Sequence, residues 1–407
     1  MPQDKKDKNL NVPPLRFPGF TDEWKRVKVS DLLDFYSTNS LSWDMLNYEN
    51  GNILNLHYGL IHSGLPTLID LKKDTLPFVN ETAIPKRFTL CMEEDVAFAD
   101  ASEDTNDVAK AVEFINLYGK QVICGLHTIH GRDKGNKTVL GFKGYAFASS
   151  AFHNQIRRLA QGTKIFSISS KTFDEVFIGI PNKDEQTKIA RLLHLLDERI
   201  ATQNKIIEDL KKLKSAIIDE LYSNVKGNSC NYSNLFTVVS ERNSKRLYKK
   251  VIAASQEYGM VERDSLNLKI QFDEESINTY KIIDSGDYVI HLRSFQGGFA
   301  FSRLHGICSP AYIILRPNER VEFSYFENYF TSTKFINSLR LVTYGIRDGR
   351  SINVEEWLSM KVVLPSKEEQ RRIIQTIKSI QNKLFNENYI LSGLESQRKF
   401  CLQNMFK

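Results

Sequence analysis

The chain has 407 residues, of which 41% are hydrophobic and 26% charged, with a net charge of +6. That is the balance of two or three globular domains, and it excludes a low-complexity or collagen-like chain. No run approaches ~18 uninterrupted apolar residues, so no membrane span is expected. Five scattered cysteines (Cys91, Cys124, Cys230, Cys308, Cys401) include no CxxC pair. They point to a reduced, cytoplasmic setting with neither a disulfide framework nor a cysteine zinc site.

Residues 1–15 read as a polar, disordered tail without the apolar core of a signal peptide. Residues 16–180 form a first mixed block. It opens with Arg16-Phe17-Pro18-Gly19-Phe20 and Trp24, and then alternates short apolar runs with Gly and Asn breaks. Asp95–Ala99 and Lys120–Cys124 are predicted strands, and Asp107–Leu117 a short helix. Within this block, residues 110–173 hold 10 Lys/Arg against 2 Asp/Glu, whereas residues 16–109 are acidic. Such segregation suits a phosphate-facing surface.

Residues 181–227 form the first of two long helical patterns. Ile189, Leu193, Leu196, Ile200, Ile207, Leu210, Ile217 and Leu221 alternate at spacings of 4 and 3, with Gln203 and Lys214 filling the gaps. That is a coiled-coil seam. Residues 228–364 form a second mixed block. Residues 365–407 repeat the seam with Ile373, Ile377, Ile380, Leu384, Leu391, Leu394, Cys401 and Met405, and put Glu387 and Arg398 in the same gaps. Each helix follows a matching phrase, Pro181-Asn182-Lys183-Asp184-Glu185-Gln186 and Pro365-Ser366-Lys367-Glu368-Glu369-Gln370, 184 residues apart. Proline is tolerated just before a helix, and acidic residues favour its first turn. At 1.5 Å per residue, helices of about 40 residues span about 60 Å, and two exposed stripes of that length would cover each other. An antiparallel pairing is expected to set Gln203 opposite Arg398 and Lys214 opposite Glu387, because matched polar layers fix register.

The mixed blocks also resemble each other. Glu94–Phe98 can be laid on Gly286–Ile290, and Gly125-Leu126-His127 on Gly306-Ile307-Cys308. A molecule of doubled framework and different contents points to a target that comes in two halves.

Catalytic constellations are lacking. Gly131–Thr138 misses the GxxxxGK[ST] spacing of a phosphate loop. Glu23-Trp24-Lys25 matches only three residues of a nuclease motif. His127 and His130 have no cysteine or further histidine beside them in sequence, so no metal is expected there. Binding residues are richer. Arg132, Lys134, Lys137, Lys143, Arg157, Arg158 and Lys164 cluster in the first block, with His153, Asn154 and Gln155 among them. The second block offers Lys245, Arg246, Lys249, Arg293, Gln296, Arg303, Arg347 and Arg350. Arg, Asn and Gln can read base edges bidentately, and Lys serves phosphate.

The Arg16–Phe20 opening with Trp24, the two Pro…Glu-Gln helix starts, Phe295-Gln296-Gly297-Gly298 and Gly306–Tyr312 together resemble the specificity subunits of type I restriction-modification systems, over nearly the whole chain. The resemblance implies an α+β fold of two globular target recognition domains separated by two long antiparallel coiled-coil helices. It also implies recognition of a bipartite, asymmetric double-stranded DNA site, with the helices as spacers. The implied partners are two methyltransferase subunits that carry S-adenosylmethionine and two restriction subunits that use ATP and Mg. No cofactor and no catalytic residue is expected in this chain, and no membrane association. Other readings are a nuclease or methyltransferase, the specificity subunit of a fused type II-like system, and a coiled-coil interaction protein without a DNA role. The second block departs from the pattern in being shorter and lacking a counterpart of Trp24.

Overall fold

The computed structural model describes residues 11–255, 258–266, 274–291, 298–344 and 351–407. Two compact units divide the chain. The first runs to Asn204 and takes back Tyr389–Lys407; the second is Lys205–Asn388. The helix Lys183–Ser223 therefore gives its first half to one unit and its second half to the other, and the helix Lys367–Asn404 does so in reverse.

The core sheet of the first unit has five strands in the order Leu33–Tyr36, Thr128–Asp133, Val96–Ala99, Ala111–Asn116, Leu68–Asp70. All neighbours are antiparallel except the last pair. A four-stranded sheet (Gln121–Cys124, Ile53–Leu56, Phe78–Val79, Leu46–Asn47) lies beside it. The predicted strands at Asp95–Ala99 and Lys120–Cys124 are present. The predicted helix at Asp107–Leu117 is not, because Ala111–Asn116 is a strand. Val112, Phe114 and Ile115 are good strand formers, and the charged residues read as helix surface include Glu113, which is fully buried.

The tail expected over residues 1–15 is shorter on its inner side. Asn11 donates to the Trp24 carbonyl, and the Leu15 amide donates to the Asn404 carbonyl. Arg16 then grips Glu185 with two hydrogen bonds of 2.6 and 2.8 Å, and the Trp24 indole N–H reaches the same carboxylate at 3.2 Å. The opening phrase of the chain thus clamps the start of the first long helix.

In the second unit the sheet is Phe236–Val239, Ile313–Pro317, Tyr288–Ile290, Phe299–Phe301, all antiparallel. Its core is aromatic: Trp357 stacks on Tyr232 at 4.4 Å and packs beside Phe236, Phe299 and Phe330.

In both units the long helices run antiparallel. Near the start of the first helix, the Gly179 amide donates to the Lys407 carbonyl, and further along Asp197 meets Arg398. In the second unit Ile218 and Tyr222 share a core with Ile373 and Ile377. The seam is real but not uniform. Ile189, Leu193, Ile373 and Ile377 are buried, whereas near Ser223 the buried face moves one residue on, to Ile218 and Tyr222.

Of the residues expected to fill the polar gaps, Arg398 pairs with Asp197 and donates to Thr67 Oγ1 at 2.8 Å. Lys214 lies in the field of Glu327, and Glu387 pairs with Lys383 on its own helix. A half-buried cation needs a near carboxylate, and each unit supplies one.

Candidate nucleic-acid interface

The two units carry one frame, and hydrogen bonds establish the correspondence. Gln186 accepts from the Val139 amide (2.9 Å) and donates to the Lys137 and Pro181 carbonyls. Gln370 accepts from the Glu322 amide (2.8 Å) and donates to the Arg320 and Pro365 carbonyls. Asp95 receives Arg132 through two nitrogens, as Asp287 receives Arg316. Ser149 caps the helix Ser150–Leu159 and Ser332 the helix Thr333–Ser338, each accepting from a Phe amide three residues on. Gly141 and Ser324, each just before the preceding helix, both take positive φ (82° and 68°). The overlay of Glu94–Phe98 on Gly286–Ile290 therefore holds. That of Gly125–His127 on Gly306–Cys308 shifts by three: Cys124 and Cys308 stand eight residues before Arg132 and Arg316, at the ends of equivalent strands.

Many of the cations singled out in the sequence serve this frame. Arg132 is held by Asp95, donates to the Leu90 carbonyl and lies over the Tyr36 ring. Burial raises the Asp95 pKa, but hydrogen bonds from Arg132, His130 and the Met92 amide outweigh it and leave the carboxyl below its usual range. Lys134 donates to the Ser30 carbonyl and Lys137 to that of Asp31. Lys143 is fully buried, 2.8 Å from Thr138 Oγ1 and 3.4 Å from Glu113. Gln155 spends its amide on the Phe177 backbone. The turn at Gly131–Thr138 is fixed by Asp133, which accepts from the amides of Lys137 and Thr138.

Other cations face outward. Arg157 and Arg158 project from the last turn of the helix Ser150–Leu159, and among the described residues Arg157 donates to Asn106 and Asn154. Arg158 and Lys164 are exposed, without an ion-pair or hydrogen-bond partner among the described residues. In the second unit Lys245, Arg246 and Lys249 lie exposed in one loop, with Arg246 at φ 52°. Arg303 is tied to Glu327 at 2.6 Å and lies over Phe301. Arg293, Gln296, Arg347 and Arg350 lie outside the described residues.

Sequence reasoning passed over one exposed feature. Trp43, 47% exposed, packs at a tilt on the His57 ring with centroids 4.4 Å apart, and His57 and His127 both pack on Tyr58. An exposed Trp beside a half-buried Tyr and histidines offers a surface on which a base can stack, but their spacing in sequence gives no signal. A second gathering was also missed. Cys91, Cys124 and His130 meet in the core of the first unit, although Cys91 lies far from the other two in sequence.

The chain thus has a doubled α+β frame, each copy packed on segments of two long helices, with basic and aromatic groups outside it. Residues 21–212 match the family model for the type I restriction modification DNA specificity domain. It is 26% identical over 257 residues to the type I restriction enzyme MjaVIII specificity subunit of Methanocaldococcus jannaschii. That match covers 56% of this chain and 60% of the relative's length. A crystal structure of a type I restriction-modification S subunit from M. genitalium shares the fold, with a TM-score of 0.51 at 16% identity, covering 97% of this chain and 99% of that one. A structure from work on complex assembly and conformational transition of the type I R-M system gives a TM-score of 0.58 at 15% identity, over 93% and 96%. Among the described residues no helix is long and apolar enough to cross a membrane.

Proposed function

We propose that the chain is the sequence-reading subunit of a type I restriction-modification complex and binds a bipartite, asymmetric double-stranded DNA site, one half-site per unit. The observation that carries this reading is the repeated frame with different contents. Gln186 and Gln370 make the same three backbone hydrogen bonds, while the side chains outside the frame differ. A two-half target needs two similar holders with two dissimilar faces. Arg157, Arg158 and Lys164 in the first unit, and Lys245, Arg246 and Lys249 in the second, supply phosphate-seeking charge.

The chain contributes no catalytic residue in this reading. Two methyltransferase subunits bring S-adenosylmethionine, and two restriction subunits bring ATP and Mg. Methylating a base requires flipping it out of the stack, which needs a fixed address on the duplex. Large apolar side chains stay exposed on both long helices, among them Phe385 (72%) and Tyr389 (77%), which supports docking of partner subunits there.

The test is selection from a random-sequence duplex pool with the assembled methyltransferase complex. Two short motifs at a fixed gap are expected. Deleting one heptad between Ile200 and Leu213 is expected to change the gap and leave both motifs unchanged. A single continuous motif, or a gap indifferent to helix length, would overturn the proposal.

A further inference from the structure

In the core of the first unit, the sulfurs of Cys91 and Cys124 lie 3.5 Å apart, and a ring nitrogen of His130 falls within 4.8 Å of both. All three residues are buried. The His130 Nε2 is held by Asp95 at 2.7 Å, and its Nδ1 is buried without a hydrogen-bond partner. An imidazole fixed by a carboxylate through one nitrogen, with the other left free, is the arrangement found behind metal-ligating histidines. Two thiolates on one tetrahedral Zn²⁺, at Zn–S of about 2.3 Å, stand about 3.8 Å apart. The sulfur pair is already close to that spacing.

The second unit supplies an internal control. The equivalent positions, counted from Asp287 and Arg316, are Ile283, Cys308 and Ile314, all buried in an apolar cluster. The frame therefore packs without a histidine or a cysteine pair. His130 brings in a buried polar nitrogen, which costs stability unless something binds it.

We propose that Cys91 Sγ, Cys124 Sγ and His130 Nδ1 form a binding site for one thiophilic d10 cation, Zn²⁺ or Cu⁺. Binding exchanges the two thiol protons for the cation, and both protons pass to solvent. Cu⁺ is satisfied by three soft donors, whereas Zn²⁺ takes a fourth ligand from outside the triad. The site bridges the four-stranded sheet, through Cys124, to the five-stranded sheet, through His130. Occupancy then fastens the two sheets of this unit. None of this depends on the DNA reading.

The test uses the full chain, reduced, stripped with chelator and dialysed separately against Zn²⁺ and against Cu⁺ under reductant. One equivalent of one cation per folded chain is expected, with a raised thermal midpoint, and the preferred arm identifies the metal. The variant Cys91→Ile/His130→Ile copies the second unit's own residues, so it should fold and lose the bound equivalent. Cys230→Ser and Cys308→Ser should keep it. A second readout needs only the wild-type chain: added Co²⁺ should show thiolate-to-metal charge-transfer absorption that Zn²⁺ abolishes. Wild-type retention no greater than that of the double variant, absence of the Co²⁺ band, or recovery of Cys91 and Cys124 as a disulfide under the same reductant would each overturn the site.

Discussion

At matched positions the two units bury opposite chemistry. Where the first places Glu113 and Lys143 in its core, 3.4 Å apart, the second places Phe301 and Phe326. Glu113 accepts from the amides of Gly141 and Gly144, so the helix Phe142–Ala148 is held onto the sheet by a carboxylate. In the second unit, burial of Phe326 against Phe236 and Phe330 does the equivalent work. His153 and Ile336 form another such pair, as do His130 and Ile314. One backbone path thus tolerates a polar core and an apolar one, provided each is satisfied in its own terms. This teaches that the frame is carried by hydrogen bonds to the backbone and not by core identity.

The sharpest way to break that comparison is Lys143→Met. It should cost the first unit about 3–5 kcal/mol, because Glu113 is left buried without its cation. The double change Glu113→Phe/Lys143→Phe, which copies the second unit, should be neutral or better, since well-packed apolar residues commonly match a buried pair. Denaturant melting with exchange protection resolved by unit would check both; equal costs for the single and double variants would refute the equivalence.

Next is Asp95→Asn against Asp287→Asn. Each should cost about 3 kcal/mol, falling on its own unit. The first should cost more, because Asp95 also holds His130. Gln186→Ala and Gln370→Ala follow, each losing about 1–3 kcal/mol through unsatisfied backbone groups. Their costs should agree; a difference beyond about 1 kcal/mol would break the repeat at its best-matched point.

Smaller is an acid effect on the first unit. Burial pushes His153 down to about 4, helped by Arg157 and Lys110 and opposed by Asp107. The unfolded chain binds this proton near pH 6.5 and the folded one does not. Stability is therefore fully present above about pH 6.5 and falls as pH drops toward 4. His153→Leu should flatten that part of a pH–melting curve. The smallest stability change, within about 0.5 kcal/mol, is expected from Arg157→Ala/Arg158→Ala. That variant should instead weaken DNA binding and lower the salt slope of binding by about 2. An unchanged slope would remove this helix from the DNA face.

How much of this was legible follows from distance along the chain. The repeated Gln and its proline were visible because capping is local: Asn182 and Ser366 accept from amides only three residues on. The strand at Val96–Ala99 was visible as an apolar run. Arg132 and Lys143 were not readable as frame residues, because their carboxylates lie 37 and 30 residues earlier, on other strands. Helix and strand at Asp107–Leu117 were confused for the same reason, since the burial of Glu113 depends on Gly141 and Gly144. The meeting of Cys91, Cys124 and His130 depends on strand pairing alone.

The two glutamines have a consequence for how such a protein can change. Each makes its hydrogen bonds to main-chain groups among the described residues, so these bonds do not depend on which side chains the partner residues carry. The block that ends at Pro181-Gln186, or the one that ends at Pro365-Gln370, is expected to accept exchange for another of the same backbone path with these bonds intact. The joint works as a standard coupling: it fixes where a module attaches and leaves open what that module reads.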